Sequence, residues 1–243
     1  MLLKACLNGG TTRDEHPSVP QTPAELAADA SAAAAAGAGA VHVHPRDPSG
    51  AETLDADCVL AAVAAVRAAA PATPVGVTTG LWVAGGDPAR RMSLVAGWGG
   101  AHRPDFASVN LSEPGADELA ALLASHGIAV EAGVWTPDGA DLLAASSFGR
   151  QVIRILVEPH DRTPEGAVAL AADIEAALDR HALPAPRLHH SYGPATWSVL
   201  RAAVRLGRDI RIGLEDTVVL EDGRPAAGNR ELVQAALRLA SES

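Results

Sequence analysis

Two histidines separated by one residue, at the end of a short apolar stretch, are the side chains whose type and spacing best fit metal chemistry. They are His42 and His44, in the segment AVHVHPRD that spans residues 40–47. Alternate side chains of a β-strand point to the same face, so the two imidazoles could bind one ion. A second apolar stretch, residues 210–214, runs into Glu215, whose carboxylate would complete a set of two histidines and one acid. This donor set suits zinc or another first-row divalent metal.

A simpler interpretation of the histidine pair remains open at this point. A His-x-His pair is common, and histidines near strand ends often only form hydrogen bonds with neighbouring backbone. The metal hypothesis therefore depends on a fold that brings Glu215 to the two histidines. A closed barrel would do so, because its second and eighth strands flank the first, with neighbouring strands about 4.8 Å apart.

The pattern of the whole chain favours such a barrel. Eight short apolar runs alternate with alanine-rich amphipathic stretches, which is typical of repeated βα units around a parallel sheet. The predicted strands are residues 2–8, 40–44, 74–78, 106–110, 129–134, 152–157, 187–191 and 210–214. Threonine-proline pairs at 22, 136 and 163 predict helix starts, and Gly37, Gly127 and Gly207 predict helix ends.

From this pattern we predict an α/β protein, one (β/α)8 TIM barrel that forms a single domain over residues 1–243. No glycine-rich dinucleotide loop follows the first strand, so a doubly wound open sheet is disfavoured. TIM-barrel enzymes place their chemistry at the carboxyl ends of the strands. Polar residues gather at those ends in this chain: Asn8, His42, His44, Thr78, Thr79, Ser108, Asn110, Glu131, Glu158, His189, His190, Glu215 and Asp216.

Composition narrows the classes of partner and compartment. The net charge of -10 argues against a nucleic acid as the main partner, since proteins that bind nucleic acids present a basic surface to the phosphates. Cys6 and Cys58 lie far apart without a CxxC pair, which fits a reducing cytoplasm. The first residues do not resemble a signal peptide, and no apolar run reaches the roughly 18 residues that span a bilayer. We expect a cytoplasmic protein that does not bind membranes.

Five motifs, taken together and in order, resemble the β-keto acid cleavage enzymes, the family that contains 3-keto-5-aminohexanoate cleavage enzyme. The resemblance covers nearly the whole chain. The motifs are TTR at 11–13 followed by Pro17 and Pro20, VHVHPR at 41–46, TTG at 78–80, SVN at 108–110 and RIGLED at 211–216.

The resemblance implies a transferase in which a β-keto acid condenses with acetyl-CoA, giving acetoacetate and the CoA ester of the remaining acyl fragment. It implies that His42, His44 and Glu215 hold Zn²⁺ as the cofactor, and that the protein is a homo-oligomer. The ion would polarise the keto acid as a Lewis acid.

The resemblance also implies roles for residues around the metal. Arg211 would be an electrostatic partner of the bound keto acid, and Asp216 would position it. Thr78 would help to hold the reacting groups. Asn8, Ser108 and Asn110 would contact the substrate. On the residues alone, a threonine at a strand end is an ordinary β-former, and an arginine-aspartate pair is an ordinary surface ion pair.

Two positions depart from the family pattern. Gly10 stands where the aminohexanoate enzyme has a glutamate suited to a substrate ammonium, so we expect a different keto acid. Gly133 stands where that enzyme has a strand-five glutamate, and Glu131, two residues earlier on the same face, is our candidate for this catalytic acid.

Two other kinds of function remain open from the sequence. One is a metal-dependent hydrolase or aldolase on the same barrel, although amidohydrolase barrels carry the His-x-His pair on the first strand. The other is a barrel that binds a carboxylic acid without catalysis. Turnover of β-keto acids with acetyl-CoA would separate these alternatives.

Overall fold

Eight parallel strands close into one barrel, in the order in which they occur along the chain. The computed structural model describes residues 1–161 and 163–242. The strands are β1 Leu3–Cys6, β2 Ala40–Val43, β3 Val75–Val77, β4 Phe106–Asn110, β5 Ala129–Val134, β6 Arg154–Val157, β7 Arg187–His189 and β8 Asp209–Ile212. The helices are α1 Pro23–Ala35, α2 Ala56–Ala69, α3 Pro88–Val95, α4 Ala116–Ser125, α5 Pro137–Ala145, α6 Pro164–Arg180, α7 Thr196–Arg205 and α8 Asn229–Ser241. The predicted (β/α)8 TIM barrel is confirmed.

The predicted strands agree with the observed ones in number and position, and differ at their ends. β4 and β5 have the predicted bounds, whereas the other six are one or two residues shorter at one or both ends, and β8 also begins one residue earlier than predicted. At the carboxyl end of β2 the reason is visible, because the amide of His44 donates to Oδ1 of Asn8 at 2.9 Å instead of to a neighbouring strand. At the end of β2, the Asn8 side chain thus replaces a ladder bond.

Barrel closure places β1 between β2 and β8. Cys6 pairs with His42 on one side, and Ala5 pairs with Ile212 on the other. The carboxyl ends of β2 and β8 therefore lie on either side of one strand, which is the arrangement that the metal hypothesis needs.

Helices begin at the predicted threonine-proline pairs and end at the predicted glycines. Thr22 caps α1 in a capping box with Glu25, and Thr136 and Thr163 each accept a hydrogen bond from the third residue of their helices. The glycines at 37, 127 and 207 have φ of 112°, 69° and 65°, so each adopts the backbone that favours glycine where a helix ends.

Apolar packing decides which strand residues face the barrel axis. Val41 and Val43 are fully buried in the core, as are Ile210 and Ile212. Because neighbouring side chains of a strand alternate between faces, valines packed against the helices leave His42 on the inner face.

Within the described residues no helix is both long and apolar enough to cross a membrane.

Candidate metal centre and its cavity

Three side chains from the ends of β2 and β8 converge at the mouth of the barrel. Nε2 of His42 lies 4.0 Å from Oε2 of Glu215, and Nε2 of His44 lies 3.5 Å from Oε1 of the same carboxylate. One donor atom from each residue falls within 4.8 Å of the others. All three side chains are buried, with at most 7% of any of them exposed.

Two neighbours fix the position of His44. Nδ1 of His44 forms a hydrogen bond with Oε1 of Glu52, so Nε2 is the nitrogen that faces the site. Glu52 comes back to this point because its backbone pairs with that of Arg46 in an isolated antiparallel bridge. The side-chain amide of Asn8 binds both the backbone N–H and the carbonyl of His44, at 2.9 and 2.8 Å.

Glu215 is held by the segment that precedes it. Asn229, the first residue of α8, accepts from the amide of Leu214 at 2.8 Å and donates to the carbonyl of Leu7 at 2.7 Å. This ties the end of β8 to β1. Gly9 leaves the space for the Glu215 side chain, since a Cβ at Gly9 would lie 2.2 Å from Cγ of Glu215.

Arg211 lies beside the three residues on the inner face of β8. Its guanidinium donates to Asp216 at 2.7 to 3.2 Å and also to Oε1 of Glu215. Arg211 and Asp216 are 3% exposed, so this is a buried ion pair rather than the surface pair that the sequence left open. One guanidinium therefore faces the cavity in a fixed orientation.

The charges around the site set different protonation preferences for the two histidines. Burial holds the pKa of His42 well below its ordinary value. Burial also opposes charge on His44, but the carboxylates of Glu215 and Glu52 outweigh it and raise the pKa of His44 to about 9. Against the effect of burial, Arg211 and the two histidines hold the pKa of Glu215 well below its usual range.

These residues fit a divalent metal ion. Oε2 of Glu215 is buried and has no hydrogen-bond partner among the described residues, which leaves a carboxylate oxygen facing the imidazoles. Zinc binds histidine nitrogen and carboxylate oxygen at about 2.0 to 2.2 Å, which separates neighbouring donors by about 3.4 Å in a tetrahedron. Oε2 of Glu215 lies 4.0 Å from Nε2 of His42, and one donor atom from each of the three residues lies within 4.8 Å of the others, which is near that requirement.

A cavity of about 350 Å³ opens beside the three residues. Its wall includes Thr78, Ser108, Asn110 and Arg211, which are four of the residues predicted to contact or activate substrate. The Thr78 hydroxyl accepts from the amide of Gly80 at 3.0 Å, and the Asn110 amide group donates to Glu113 at 2.9 Å. The predicted wall is therefore contiguous in space with the predicted metal ligands.

Glu131 does not lie where the predicted role requires. Its carboxylate is fully buried, 2.5 Å from Nζ of Lys4, and it also pairs with Arg154. It is not among the residues that line the cavity. Glu131 shares a strand face with Gly133, but it sits one layer deeper in the barrel, where two cations neutralise it. The assignment of Glu131 as a catalytic acid is corrected to a structural ion cluster in the barrel interior.

Asn8 also differs from its predicted role. Each polar group of its side chain already binds backbone, and the residue is fully buried, so it positions His44 instead of contacting substrate.

The sequence reasoning missed several residues of the site. Glu52 lies on a loop, eight positions from His44, and no strand-end pattern marks it. Glu158 is one of the predicted strand-end polar residues but was given no role, and it lines the cavity. Other wall residues that were missed are Leu156 on β6 and four aromatic or histidine side chains: Trp82, Trp135, His160 and Tyr192. For the aromatic and histidine residues, their positions after β3, β5, β6 and β7 gave the only indication, because the segments that follow the strands form the mouth of a barrel.

Comparison with known proteins gives the chain a family. A family model for beta-keto acid cleavage enzyme matches residues 1–152 and 163–243. The 3-keto-5-aminohexanoate cleavage enzyme of Acetoanaerobium sticklandii is 25% identical over 266 residues, which cover 100% of this chain and 92% of that protein.

Solved structures agree on the fold. The apo structure of ObcA has a TM-score of 0.73 at 20% identity and covers 91% of this chain, and a binary complex of ObcA with oxaloacetate has a TM-score of 0.71. The chain spans 61% and 63% of those ObcA chains. At this level of identity the similarity indicates a shared barrel only.

The family resemblance read from the five motifs is thereby confirmed. Because the family match leaves out only ten residues between its two segments, this chain belongs to the beta-keto acid cleavage enzyme family.

Proposed function

We propose that this enzyme is a zinc-dependent transferase that condenses a β-keto acid with acetyl-CoA. In the proposed reaction the bond between the α-carbon and the keto carbon breaks, and the acetyl group joins the freed two-carbon acid to give acetoacetate. The rest of the keto acid leaves as its CoA ester. The observation that carries the proposal is the group formed by His42, His44 and Glu215 beside a cavity that Arg211 lines.

The proposal gives each part of the site a task. A bound divalent ion supplies Lewis-acid polarisation of the keto and carboxylate oxygens. Arg211, held by Asp216, offers a fixed positive charge to oxygen atoms that become more negative during the reaction. Thr78, Ser108 and Asn110 offer polar groups along one wall to orient the keto acid.

The relatives support the choice of substrates. The curated relative is named for cleavage of a β-keto acid. ObcA has been solved with oxaloacetate, and with a C4-CoA adduct and oxalate. Family membership disfavours the hydrolase, aldolase and non-catalytic alternatives. Location in the cytoplasm and assembly into a homo-oligomer remain part of the proposal, from composition and family respectively.

Turnover tests the proposed function. Protein stripped with a chelator and then reloaded with zinc is incubated with acetyl-CoA and a panel of β-keto acids, and acetoacetate is measured. We expect acetoacetate from at least one acid with the reloaded protein only, and a loss of more than about 100-fold in His42→Ala.

A surface variant serves as the matched control. Arg201→Ala removes an exposed ion pair with Glu221 on the outside of the barrel and should keep full activity. Release of the acyl fragment as a free acid would identify a hydrolase. Binding of the acids without any acetoacetate would identify a non-catalytic barrel.

A further inference from the structure

The wall of the cavity that faces the histidines includes aromatic residues, His160 and one carboxylate. The sequence contains only four tryptophans and one tyrosine, yet Trp82, Trp135 and Tyr192 all line this cavity. Trp135 and Tyr192 follow β5 and β7, and Glu158 follows β6 between them. In a closed barrel of eight strands, β6 lies opposite β2, which carries the histidines. A keto acid held at the histidines would extend its variable end toward Glu158.

The two carboxylate oxygens of Glu158 differ in how well their partners are aligned. Oε1 accepts from the hydroxyl of Tyr192 at 2.5 Å and lies 3.2 Å from Nε2 of His160. Oε2 lies 3.3 Å from Nε2 of His190, but neither nitrogen of that ring forms a hydrogen bond within the described residues. Oε2 therefore remains an acceptor without a well-aligned donor.

Trp135, in contrast, has a hydrogen-bond donor that lacks an acceptor. Its Nε1 is buried and has no acceptor in the part of the chain that the structure describes. The indole stacks on the imidazole of His160 with ring centroids 4.2 Å apart, which holds it next to Glu158. A buried N–H without an acceptor is energetically unfavourable, so an arriving ligand that supplies an acceptor gains affinity.

A hydroxyl group answers both deficiencies at once, since it can donate one hydrogen bond and accept others. We infer that Glu158 and Trp135 form a subsite for a hydroxyl group on the variable end of the β-keto acid. The inference rests on the proposed function, and it specifies the class of substrate.

Charged substituents fit this wall less well. A carboxylate would meet the carboxylate of Glu158. An ammonium would gain a charge pair with Glu158, but it would also approach the guanidinium of Arg211, whose Cζ lies 5.9 Å from the Tyr192 ring. Trp135 also has only a donor to offer, and an ammonium cannot accept from it. A neutral hydroxyl avoids both repulsions.

Binding measurements test the subsite without requiring turnover. Calorimetry on the zinc-loaded protein, without acetyl-CoA, compares three six-carbon acids of matched shape: 5-hydroxy-3-ketohexanoate, 5-amino-3-ketohexanoate and unsubstituted 3-ketohexanoate. We expect the hydroxylated acid to bind at least about 10-fold more tightly than either of the others. In Trp135→Phe and in Glu158→Leu the ratio between the hydroxylated and the unsubstituted acid should fall toward one.

A second tryptophan provides the control. Trp197→Phe removes an indole N–H that donates to the carbonyl of Val219, outside the cavity, and should keep the ratio of the parent protein. Circular dichroism checks that each variant is folded, and Trp135→Phe tests the subsite even if Glu158→Leu does not fold.

Two results would overturn the inference: equal affinity of the parent protein for the three acids, or a ratio that persists in the folded Trp135→Phe variant. Either can occur while acetoacetate is still formed, and absence of acetoacetate can occur while the ratio holds. Failure of the subsite and failure of the proposed function are therefore distinguishable.

Discussion

The imidazole of His44 has its ring position and its basicity set by two carboxylates. Glu52 fixes which nitrogen faces the site, and together with Glu215 it overcomes burial to raise the pKa of His44 to about 9. A histidine must be neutral to bind a metal ion. In the metal-free protein, His44 is therefore protonated at neutral pH and has to release that proton when an ion binds.

This gives zinc affinity a predictable dependence on pH. Below pH 9 a proton competes with the ion at His44, so apparent affinity should rise about 10-fold when the pH increases from 7 to 8. Competition titration with a chelator of known affinity measures this change.

Removal of one carboxylate supplies the control for this dependence. Glu52→Gln takes away one of the charges that raise the pKa of His44, so the dependence between pH 7 and 8 should become shallower. Equal dependence in the parent and the variant would show that Glu52 does not govern the protonation of His44.

The planar guanidinium of Arg211 contacts both Glu215 and Asp216. Arg211→Lys keeps a positive charge, but an ammonium cannot reproduce the planar set of bonds to Glu215 and Asp216. We expect kcat/KM for acetoacetate formation to fall about 100-fold, with zinc affinity changed much less. Steady-state kinetics and a zinc titration on the same preparation measure both quantities. Undiminished turnover would remove Arg211 from the chemistry.

Single residues also show where reasoning from sequence stops. His42, His44, Glu215 and Arg211 could be placed together because strand alternation and barrel closure determine their positions. Glu131 was placed wrongly as a catalytic acid, because a face of a strand does not specify depth along the barrel axis. Its pairing with Lys4, 127 positions away, depends on which inward layers meet.

At the scale of the element, the loop after β1 determines whether Glu215 fits. Gly9 has φ of 52°, and a Cβ there would lie 2.2 Å from Cγ of Glu215. Gly9→Ala should therefore displace the carboxylate and lower zinc affinity at least about 10-fold, besides the strain of about 1 to 2 kcal/mol for alanine in this conformation. Zinc titration and thermal unfolding measure the two effects.

The adjacent glycine is the matched control for this variant. A Cβ at Gly10 would meet nothing closer than an oxygen of Glu52 at 3.7 Å, which is an ordinary contact. Gly10→Ala should keep zinc affinity within about twofold. If both variants bind zinc equally well, the packing of this loop does not position Glu215.

Helix α6 contributes a stability prediction. The Glu175 side chain is 10% exposed and binds Arg187, His189 and Arg208 around the end of β7. Burial opposes its charge, but these partners prevail and lower the pKa of Glu175 to about 2. A carboxylate with a depressed pKa stabilises the fold above its unfolded pKa of about 4.3, and this contribution is lost as the pH falls toward 2.

Glu175→Gln should therefore lower the free energy of unfolding by about 2 kcal/mol at pH 7. The difference between parent and variant should shrink below pH 4.5. Denaturant titrations at pH 7 and pH 3.5 measure it. Glu118→Gln, on the exposed face of α4, should change stability by less than about 0.5 kcal/mol. If the unfolding free energies of the parent and Glu175→Gln differ equally at pH 7 and pH 3.5, the ionised Glu175 carboxylate is not the source of the stabilisation.

The elements themselves were largely predictable from sequence. Threonine caps and terminal glycines mark helix boundaries through local backbone chemistry, so they are visible without the fold. The ends of the strands were less accurate, since residues such as His44 exchange ladder bonds for contacts with Asn8 that are 36 positions away.

At the scale of the whole molecule, barrel closure is the feature on which the site depends. β1 pairs with β2 and β8, which brings residues 42 and 44 to residue 215 across most of the sequence. Closure of the barrel could be predicted because eight βα units at fairly even spacing recur along the sequence. The composition of the opposite wall could not be predicted, because Trp135, Glu158 and Tyr192 lie in the loops that follow β5, β6 and β7, and sequence patterns do not specify the shapes of those loops.

The origin of the carbon atoms in acetoacetate tests the central claim most directly. Zinc-loaded protein is incubated with a β-keto acid and acetyl-CoA that carries ¹³C at both acetyl carbons, and the products are analysed by mass spectrometry. Condensation predicts acetoacetate heavier by two mass units, together with an unlabelled acyl-CoA from the keto acid. Cleavage of the keto acid with the label retained entirely in acetyl-CoA would contradict the account.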